Sequence, residues 1–368
     1  MTFIHQIRGW PQLHWDEGVL SAPLAALRHR QGRHLGRMDA LGFELRTEAN
    51  LLSMVSEVVK SSAIEGYDLD PKEVRSSLAR RLGLETAGLP EPGREVEGVV
   101  EMLVDATQNF AAPLTAERLF GWHAALFPTG RSGLRRITVG AWRTGEDGPM
   151  QVVSGAIGRE RVHFEAPEAE RLEAEMKSFL EWFEAPPPID PVLFAGVAHF
   201  WFVTIHPFGD GNGRIARAIG DLALSRADGS KDRYYSLSSQ IEAERKQYYH
   251  QLENCQRGGL DITAWMEWFL GCLDRSIDGA EETLATVLRQ AQLWQRINLR
   301  PIHDRQRKVI LRLQDDFLGK LTTSKYATQA KCSSDTALRD IRELLERGIL
   351  VQNPGGGRST SYRLAEPD

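Results

Sequence analysis

The chain has 368 residues, 42% of them apolar and 26% charged, with a formal net charge of −5. That length suits two or three domains with real cores, and that balance excludes a nucleic-acid binder that is basic over its whole surface. Cys255, Cys272 and Cys332 lie far apart without metal-ligand spacing, and their odd number argues against a disulfide framework.

The N-terminus, MTFIHQIRGW, lacks the apolar segment of a signal peptide. The longest apolar run is short and contains His199, so the expectation is a soluble cytoplasmic protein with no membrane partner. Residues 1–95 read as a helical, charge-rich segment. Trp10 and Trp15 flank a turn, and a helical pattern follows from about Pro23 to Arg46. From Thr47 to Glu65, Leu51, Leu52, Val55, Val58 and Val59 form one stripe that ends at Gly66, an ordinary helix stop. The stretch 69–84 is again helical, and Thr86–Gly93 is a Pro/Gly linker.

Helical segments continue through Arg94–Phe110 and Ala116–Leu126, where His123 sits among apolar positions and reads as a packed histidine. Thr138–Phe164 is the stretch before residue 190 that reads as strand, with short β-prone runs between glycine-rich turns. Residues 167–185 form an amphipathic helix closed by Pro186–Pro188. Asp190–Ile205 is almost unbroken apolar sequence, long enough for a buried helix.

The chemistry concentrates directly after that helix, in His206-Pro-Phe-Gly-Asp-Gly-Asn-Gly-Arg214 and on to Arg217. Pro207 stops one helix, and the glycines allow a tight turn and close approach of a ligand. A second helix begins at Asn212, and its free N–H groups and positive dipole end suit an anion. His206 can accept a proton near neutral pH. Asp210 is a hard oxygen ligand suited to Mg²⁺ beside substrate phosphates. Arg214 and Arg217, three apart, can grip phosphate oxygens. A base, a metal ligand, an anion cradle and two guanidiniums within twelve residues point to transfer of a phosphate-containing group.

HPFGDGNGRIAR resembles the Fic motif, HPFx[D/E]GNGRxxR, at every defined position. The resemblance implies a mainly α fold: a helical Fic core with a β-hairpin flap, carried here with an N-terminal helical domain and a C-terminal winged helix-turn-helix. It implies a protein adenylyltransferase that moves AMP from MgATP onto a Ser, Thr or Tyr hydroxyl of a target protein, or of itself, and releases pyrophosphate. His206 would be the general base, Asp210 the Mg²⁺ ligand, Gly211, Asn212 and Gly213 the anion hole, and Arg214 and Arg217 the phosphate contacts. Phe208 would be mainly structural, packing the loop onto the core.

Ser61-Ser-Ala-Ile-Glu65-Gly66 is similar to the inhibitory [S/T]xxxE[G/N] motif of the same family. By that resemblance Ser61 steadies the helix and Glu65 pairs with Arg214, so that ATP binds in an unproductive pose. The flap implied at 138–164 would hold the target as an added strand, with Arg143, Met150, Gln151, Val152 and Val153 as its docking residues. RKQYY resembles the segment whose first tyrosine, here Tyr248, packs by the adenine. Gln256, eight positions on, stands where relatives often have Asn. Two other readings stay open: removal of AMP with the help of Glu65, and a nucleotide-sensing, DNA-binding regulator.

Ile241–Leu252 is helical, and Asp261 to about Leu299 continues as helix toward the C-terminal segment. The segment from Asp304 to Leu364 changes character, with 12 Lys and Arg against 7 Asp and Glu. Its pattern is helix (Arg305–Leu313), short helix (Thr323–Ala330), helix (Ser334–Arg347), then two β-prone runs around Gly355–Gly357. That order is a winged helix-turn-helix, with Ser333–Thr336 opening the recognition helix. Thr336, Arg339 and Arg342 face outward in this reading, and Arg358 reaches a groove or a phosphate. Duplex DNA suits this basic segment; a role in homodimerisation or target recognition suits it equally. The expected domains are 1–95, a catalytic core at 96–275, a connecting helix at 276–300 and the winged helix at 301–368.

Overall fold

The computed structural model describes residues 2–86, 88–154, 161–314, 320–354 and 360–365. Residues 155–160 of the flap stretch, Gly355–Gly357 and Arg358 lie outside the described residues. Contacts divide the chain into two compact units, 1–283 and 284–368.

The first unit opens with α1 (Glu17–Asp39), α2 (Phe43–Ile64), α3 (Pro71–Arg81), α4 (Arg94–Gln108) and α5 (Ala116–Leu126). Two small antiparallel hairpins follow, β1 (Arg131–Ser132) with β2 (Arg135–Arg136), and β3 (Gln151–Ser154) with β4 (Arg161–Glu165). Then come α6 (Leu172–Glu184), α7 (Pro191–Ile205), α8 (Asn212–Asp228), α9 (Leu237–Ala243) and α10 (Arg245–Gln256), and the long α11 (Thr263–Leu299) begins in this unit and continues past residue 283. The architecture is mainly α, as the sequence implies.

Local chemistry accounts for most boundaries. Asp16 caps α1 by accepting from the Gly18 and Val19 N–H groups, so the helix starts ahead of Pro23 and carries that proline inside it. The predicted run from Pro23 to Arg46 is two helices, because the chain breaks at Ala40–Gly42 before α2. Asp190 caps α7 with Pro191 in its first turn. The predicted helix 241–252 is interrupted at Glu244, between α9 and α10. In the stretch read as strand, 138–150 forms only a short 3₁₀ turn, and among the described residues the strands are β3 and β4.

Helix α7 is buried over every residue from Val192 to Ile205, as expected for a helix apolar on all sides. It forms the centre of one core to which α1–α3 contribute Leu20, Leu27, Met54, Val58 and Leu78. The first 95 residues therefore share the core of α7 and α8. Polar contacts fix α2 against the region after α8. Glu57 accepts from Ser236 Oγ at 2.8 Å and from the Ser238 N–H at 3.0 Å. The Asn50 side-chain oxygen accepts from the Arg233 N–H at 2.8 Å.

The second unit holds α12 (Asp304–Gln314), α13 (Thr323–Ala330), α14 (Ser334–Glu346) and an antiparallel pair, β5 (Leu350–Gln352) with β6 (Tyr362–Leu364). Its own core contains Val309, Ile310, Tyr326, Ile341, Leu344 and Leu350. Ser333 caps α14 through the Thr336 N–H at 3.2 Å. Arg339 and Arg342 are exposed and Thr336 is half-buried. Among the described residues, no helix is long and apolar enough to cross a membrane.

Candidate active site

The end of α2, the loop between α7 and α8, the β3–β4 hairpin and α10 border one cavity of about 720 Å³. Glu65, His206, Asp210, Gly211, Asn212 and Gly213 line its floor, Val152, Val153, Ser154 and His163 one wall, and Tyr248, Tyr249 and Gln256 another. Residues up to 191 positions apart in sequence thus meet in one space, because α7 and α8 pack side by side at the centre of the core.

The loop geometry follows from its sequence. His206 ends α7 in the left-handed region (φ 53°), where its N–H still bonds the Phe202 carbonyl. Its Nδ1 donates to the Val203 carbonyl at 3.1 Å, which leaves the Nε2 lone pair free. Burial lowers the His206 pKa; the Val203 bond opposes this and the nearby Arg143 charge adds to it. The ring is therefore neutral at pH 7 and can take a proton. Asn212 braces the loop, accepting from the Phe208 N–H at 2.9 Å and donating to the Phe208 carbonyl at 2.8 Å. Gly211 adopts φ 80° at the start of α8.

Phe208 is fully buried and stacks on His123 with centroids 4.2 Å apart. His123 is a packed histidine, and burial lowers its pKa to about 4. Phe208→Ala should cost about 3–5 kcal/mol of stability, the usual range for a buried aromatic. A thermal or urea unfolding series measures it, and a loss under about 1 kcal/mol would contradict the anchoring role.

Asp210 lies in the same loop. Its Oδ1 accepts from the Gly211 N–H at 2.5 Å, and its Oδ2 accepts from the Ser132 hydroxyl on β1. The described residues contain no cluster of three or more His, Cys, Asp or Glu that could hold a metal by themselves. A single carboxylate in a cavity floored by a helix N-terminus still fits Mg²⁺, which takes one or two protein carboxylates and completes its shell with phosphates and water.

The arginines separate. Arg217 is 2% exposed, and α2 holds it: Nε donates to Ser61 Oγ at 2.9 Å, and one terminal nitrogen donates to the Ser61 carbonyl at 2.8 Å and to Glu65 Oε1 at 2.9 Å. The pairing of Glu65 with Arg214 is thus corrected: its partner is Arg217. Ser61 does not merely steady its helix; it binds the same guanidinium. Arg214 instead lies between the rings of Tyr67 (4.6 Å) and Phe127 (5.1 Å), and its Nε and one terminal nitrogen are buried without a partner. Gly66, at φ 86°, turns the chain from Glu65 to Tyr67.

Glu65 also covers the start of α8. A Cβ placed on Gly213 would come within 2.1 Å of Glu65 Oε1, so the carboxylate occupies space that only glycine leaves open. A negative group already sits at the helix N-terminus where a phosphate would go.

On the α10 side, Tyr248 is buried, its hydroxyl 3.0 Å from His199 Nε2 and its ring against Trp265 and Trp268. The Gln256 side-chain amide donates to Thr204 Oγ1 at 3.2 Å. Both residues border the cavity, Tyr248 beside Tyr249. Met150, Gln151, Val152 and Val153 lie at or next to β3, with a bulge between Val152 and Val153. Arg143 does not belong to the hairpin. It is buried, donates Nε to the His206 carbonyl at 2.9 Å and a terminal nitrogen to the Pro167 carbonyl, and its N–H bonds the Pro207 carbonyl. It braces the back of the loop between α7 and α8, and burial lowers its pKa to about 10.

Sequence reasoning missed Tyr67, Phe127 and Ser132, which contact Arg214 and Asp210, and Glu253 and Arg257, which tie β4 to α10. Glu253 bonds His163 Nδ1 at 2.7 Å, and Arg257 Nε donates to the His163 carbonyl at 2.9 Å. No spacing rule marks these residues, because each acts through a contact distant in sequence.

The family model described as Fic/DOC family matches residues 113–224, and a domain of unknown function (DUF4172) matches residues 3–84. The chain is similar to the Protein adenylyltransferase Fic of Nematostella vectensis, 33% identical over 114 residues, covering 30% of this chain and 25% of that protein. It is likewise 33% identical over 105 residues to the Protein adenylyltransferase Fic of Drosophila mojavensis, covering 28% and 19%. The chain thus spans a quarter or less of the length of these relatives. Among solved structures, a Fic family protein from Desulfovibrio desulfuricans G20 has the same fold (TM-score 0.57, 20% identity, 98% of this chain and 99% of that one). A Fic domain containing signaling protein from Bacteroides thetaiotaomicron does so over 70% of this chain and 97% of its own (TM-score 0.51, 21% identity). Motif and family model converge on one segment: the chain carries a Fic/DOC-family domain at residues 113–224, in a fold shared with solved Fic proteins.

Proposed function

We propose that the chain is a protein adenylyltransferase, transferring AMP from MgATP to a Ser, Thr or Tyr hydroxyl of a target protein or of itself, and that Glu65 holds it inactive. The observation that carries this reading is the placement of Glu65, bonded to Arg217 and seated over Gly213, in the cavity that also holds His206 and Asp210. The two relatives that share the motif region are named protein adenylyltransferases.

In this reading His206 Nε2 takes the proton of the target hydroxyl. The oxygen then forms a bond to the α-phosphorus, the bond from that phosphorus to the bridging oxygen breaks, and pyrophosphate leaves. The N–H groups at the start of α8 receive the negative charge of the phosphoryl oxygens. Asp210 would hold Mg²⁺ with the phosphates, and the ion supplies charge neutralisation. Arg217 takes the terminal phosphates once Glu65 withdraws. Such transfer needs little covalent help from protein, so positioning and electrostatics carry it.

The β3–β4 hairpin, which walls the cavity, seats the target as an added strand. Val152→Pro breaks the β3–β4 ladder at the Phe164 rung and, by distorting the strand that seats the target, should weaken target modification by roughly two- to tenfold, with ATP affinity unchanged. Equal loss of ATP affinity would argue against docking there.

The test of the main reading is label incorporation from α-phosphate-labelled ATP with Mg²⁺ into a soluble protein extract. Label with Glu65→Gly and none with Glu65→Gly/His206→Ala supports it. No label in any case, together with release of AMP from a pre-modified protein, would favour AMP removal instead. The second unit, with its three helices, antiparallel strand pair and exposed Arg339 and Arg342, is read as a winged helix. Salt-sensitive binding of duplex DNA by the full chain would assign it to DNA, and none at low salt would assign it to protein contacts.

A further inference from the structure

The first residues of the chain and the hairpin form a small core of their own. Phe3 is 6% exposed and packs with Phe164 and Ala166, with Met150 and Val152 around them. Phe3 meets Phe164 edge-on at 5.3 Å between centroids, and His5 meets the same ring at 5.9 Å. Val152 and Phe164 are cross-strand partners, so the wedge of Phe3 reaches both strands at one rung of the ladder.

The contact also has a polar half. The Ala166 N–H bonds the Met150 carbonyl at 2.9 Å, which sets the alternation up to the bulge: the Phe164 backbone faces β3 and the Glu165 carbonyl turns away from it, while at the bulge, where His163 is the extra residue, the Val162 and His163 carbonyls both meet Arg257. Those carbonyls are taken. His5 Nε2 donates to the Glu165 carbonyl at 2.8 Å. Arg257 donates to the His163 carbonyl at 2.9 Å and also to the Val162 carbonyl. The Gln6 side chain accepts from the Phe3 N–H at 2.9 Å and Arg171 donates to the His5 carbonyl, so the N-terminal turn is itself pinned.

A two-stranded sheet has two edges on which a further strand can pair. Side-chain donors cover the β4 edge, which leaves β3 as the edge that can take another strand. β3 also supplies Val152, Val153 and Ser154 to the cavity of His206. We propose that Phe3 and His5 are positioning residues for the target: they clamp β4 so that an incoming extended segment pairs only with β3, in the register that brings its hydroxyl to His206. The N-terminal region thus acts on both halves of the reaction, gating the nucleotide through Glu65 and aligning the protein substrate through Phe3 and His5. The proposal rests on the reading of the hairpin as the target seat.

The experiment uses the full chain with Glu65→Gly, compared with the same chain carrying Phe3→Ala and His5→Ala together, His5→Ala alone, or His5→Gln. Hydrogen exchange at residues 150–154 and 161–165 reads the clamp directly. Labelling of a soluble protein extract at varied extract and ATP concentrations reads its consequence. The double variant should speed exchange in the hairpin by about tenfold, the effect of losing one hydrogen bond and one packing contact. Exchange in α7 should stay unchanged. The half-saturating extract concentration should rise by about as much, with the half-saturating ATP concentration and the limiting rate within about twofold. His5→Gln, whose amide can donate to the same carbonyl, should restore both readouts relative to His5→Ala. Unchanged hairpin exchange overturns the clamp, as does an equal shift in the ATP and extract dependences. Absence of labelling in every variant would sink the adenylyltransferase reading, while the exchange measurement still decides the clamp.

Discussion

Glu65→Gly is expected to raise AMP transfer by roughly ten- to a hundredfold. The carboxylate bonds Arg217 at 2.9 Å, and that guanidinium is 2% exposed. A charge-assisted hydrogen bond of this kind contributes about 1.5–3 kcal/mol, and each 1.4 kcal/mol is a factor of ten in population. The glycine variant removes the competitor for the guanidinium and clears the start of α8, where the carboxylate crowds Gly213. The fold should survive, because Glu65 lies past the last turn of α2 and is 28% exposed. Labelling from α-phosphate-labelled ATP measures the gain. A folded variant no more active than the parent chain would show that Glu65 does not restrain transfer. Arg217→Ala is the companion variant: it also loses the restraint but removes the phosphate contact, so it should not be activated.

The second large effect is the loss of transfer in His206→Ala. General base catalysis contributes about 10²–10⁴-fold, so in the Glu65→Gly background the double variant should fall by at least about a hundredfold. ATP affinity, measured by calorimetry, should stay close to that of Glu65→Gly, because the ring sits at the end of α7 and its one described side-chain bond is to its own helix, at Val203. The pH dependence has a defined sign. Burial holds the His206 pKa below its ordinary value, so the base is unprotonated at neutral pH. Transfer should be flat there and fall as the pH drops through that lowered pKa. Retained transfer in the alanine variant, or a rate that rises as the pH falls, would refute the assignment of the base.

Much of this site is legible in the sequence because its parts are close together along the chain. Asp190 and Pro191 start α7, Pro207 follows its end, and Asn212 opens α8 while closing the loop onto Phe208. These are local geometries, each set by residue type within a few positions. The helical character of the chain was equally readable, since α4 and α6 show their burial at helical spacing. The misplaced boundaries fall where local signals conflict, as at Pro23, which sits inside α1 after an Asp16 cap.

What the sequence by itself determined was the set of groups at 206–217: a histidine, a carboxylate, glycines at a helix start and two arginines, all close along the chain. Only the tertiary structure decided which arginine Glu65 restrains. Arg214 and Arg217 lie three residues apart on α8 and so differ by about 60° around its axis, and the rotation of α2 against that axis selects between them. Contacts from Glu57 and Asn50 to the region after α8 help fix that rotation. They bring Ser61 and Glu65 onto Arg217 and leave Arg214 between Tyr67 and Phe127. The same holds for Phe3, His5 and Arg257, whose grip on β4 depends on segments brought together only by folding. Spacing along one helix is a local property; the phase between two packed elements belongs to the whole core.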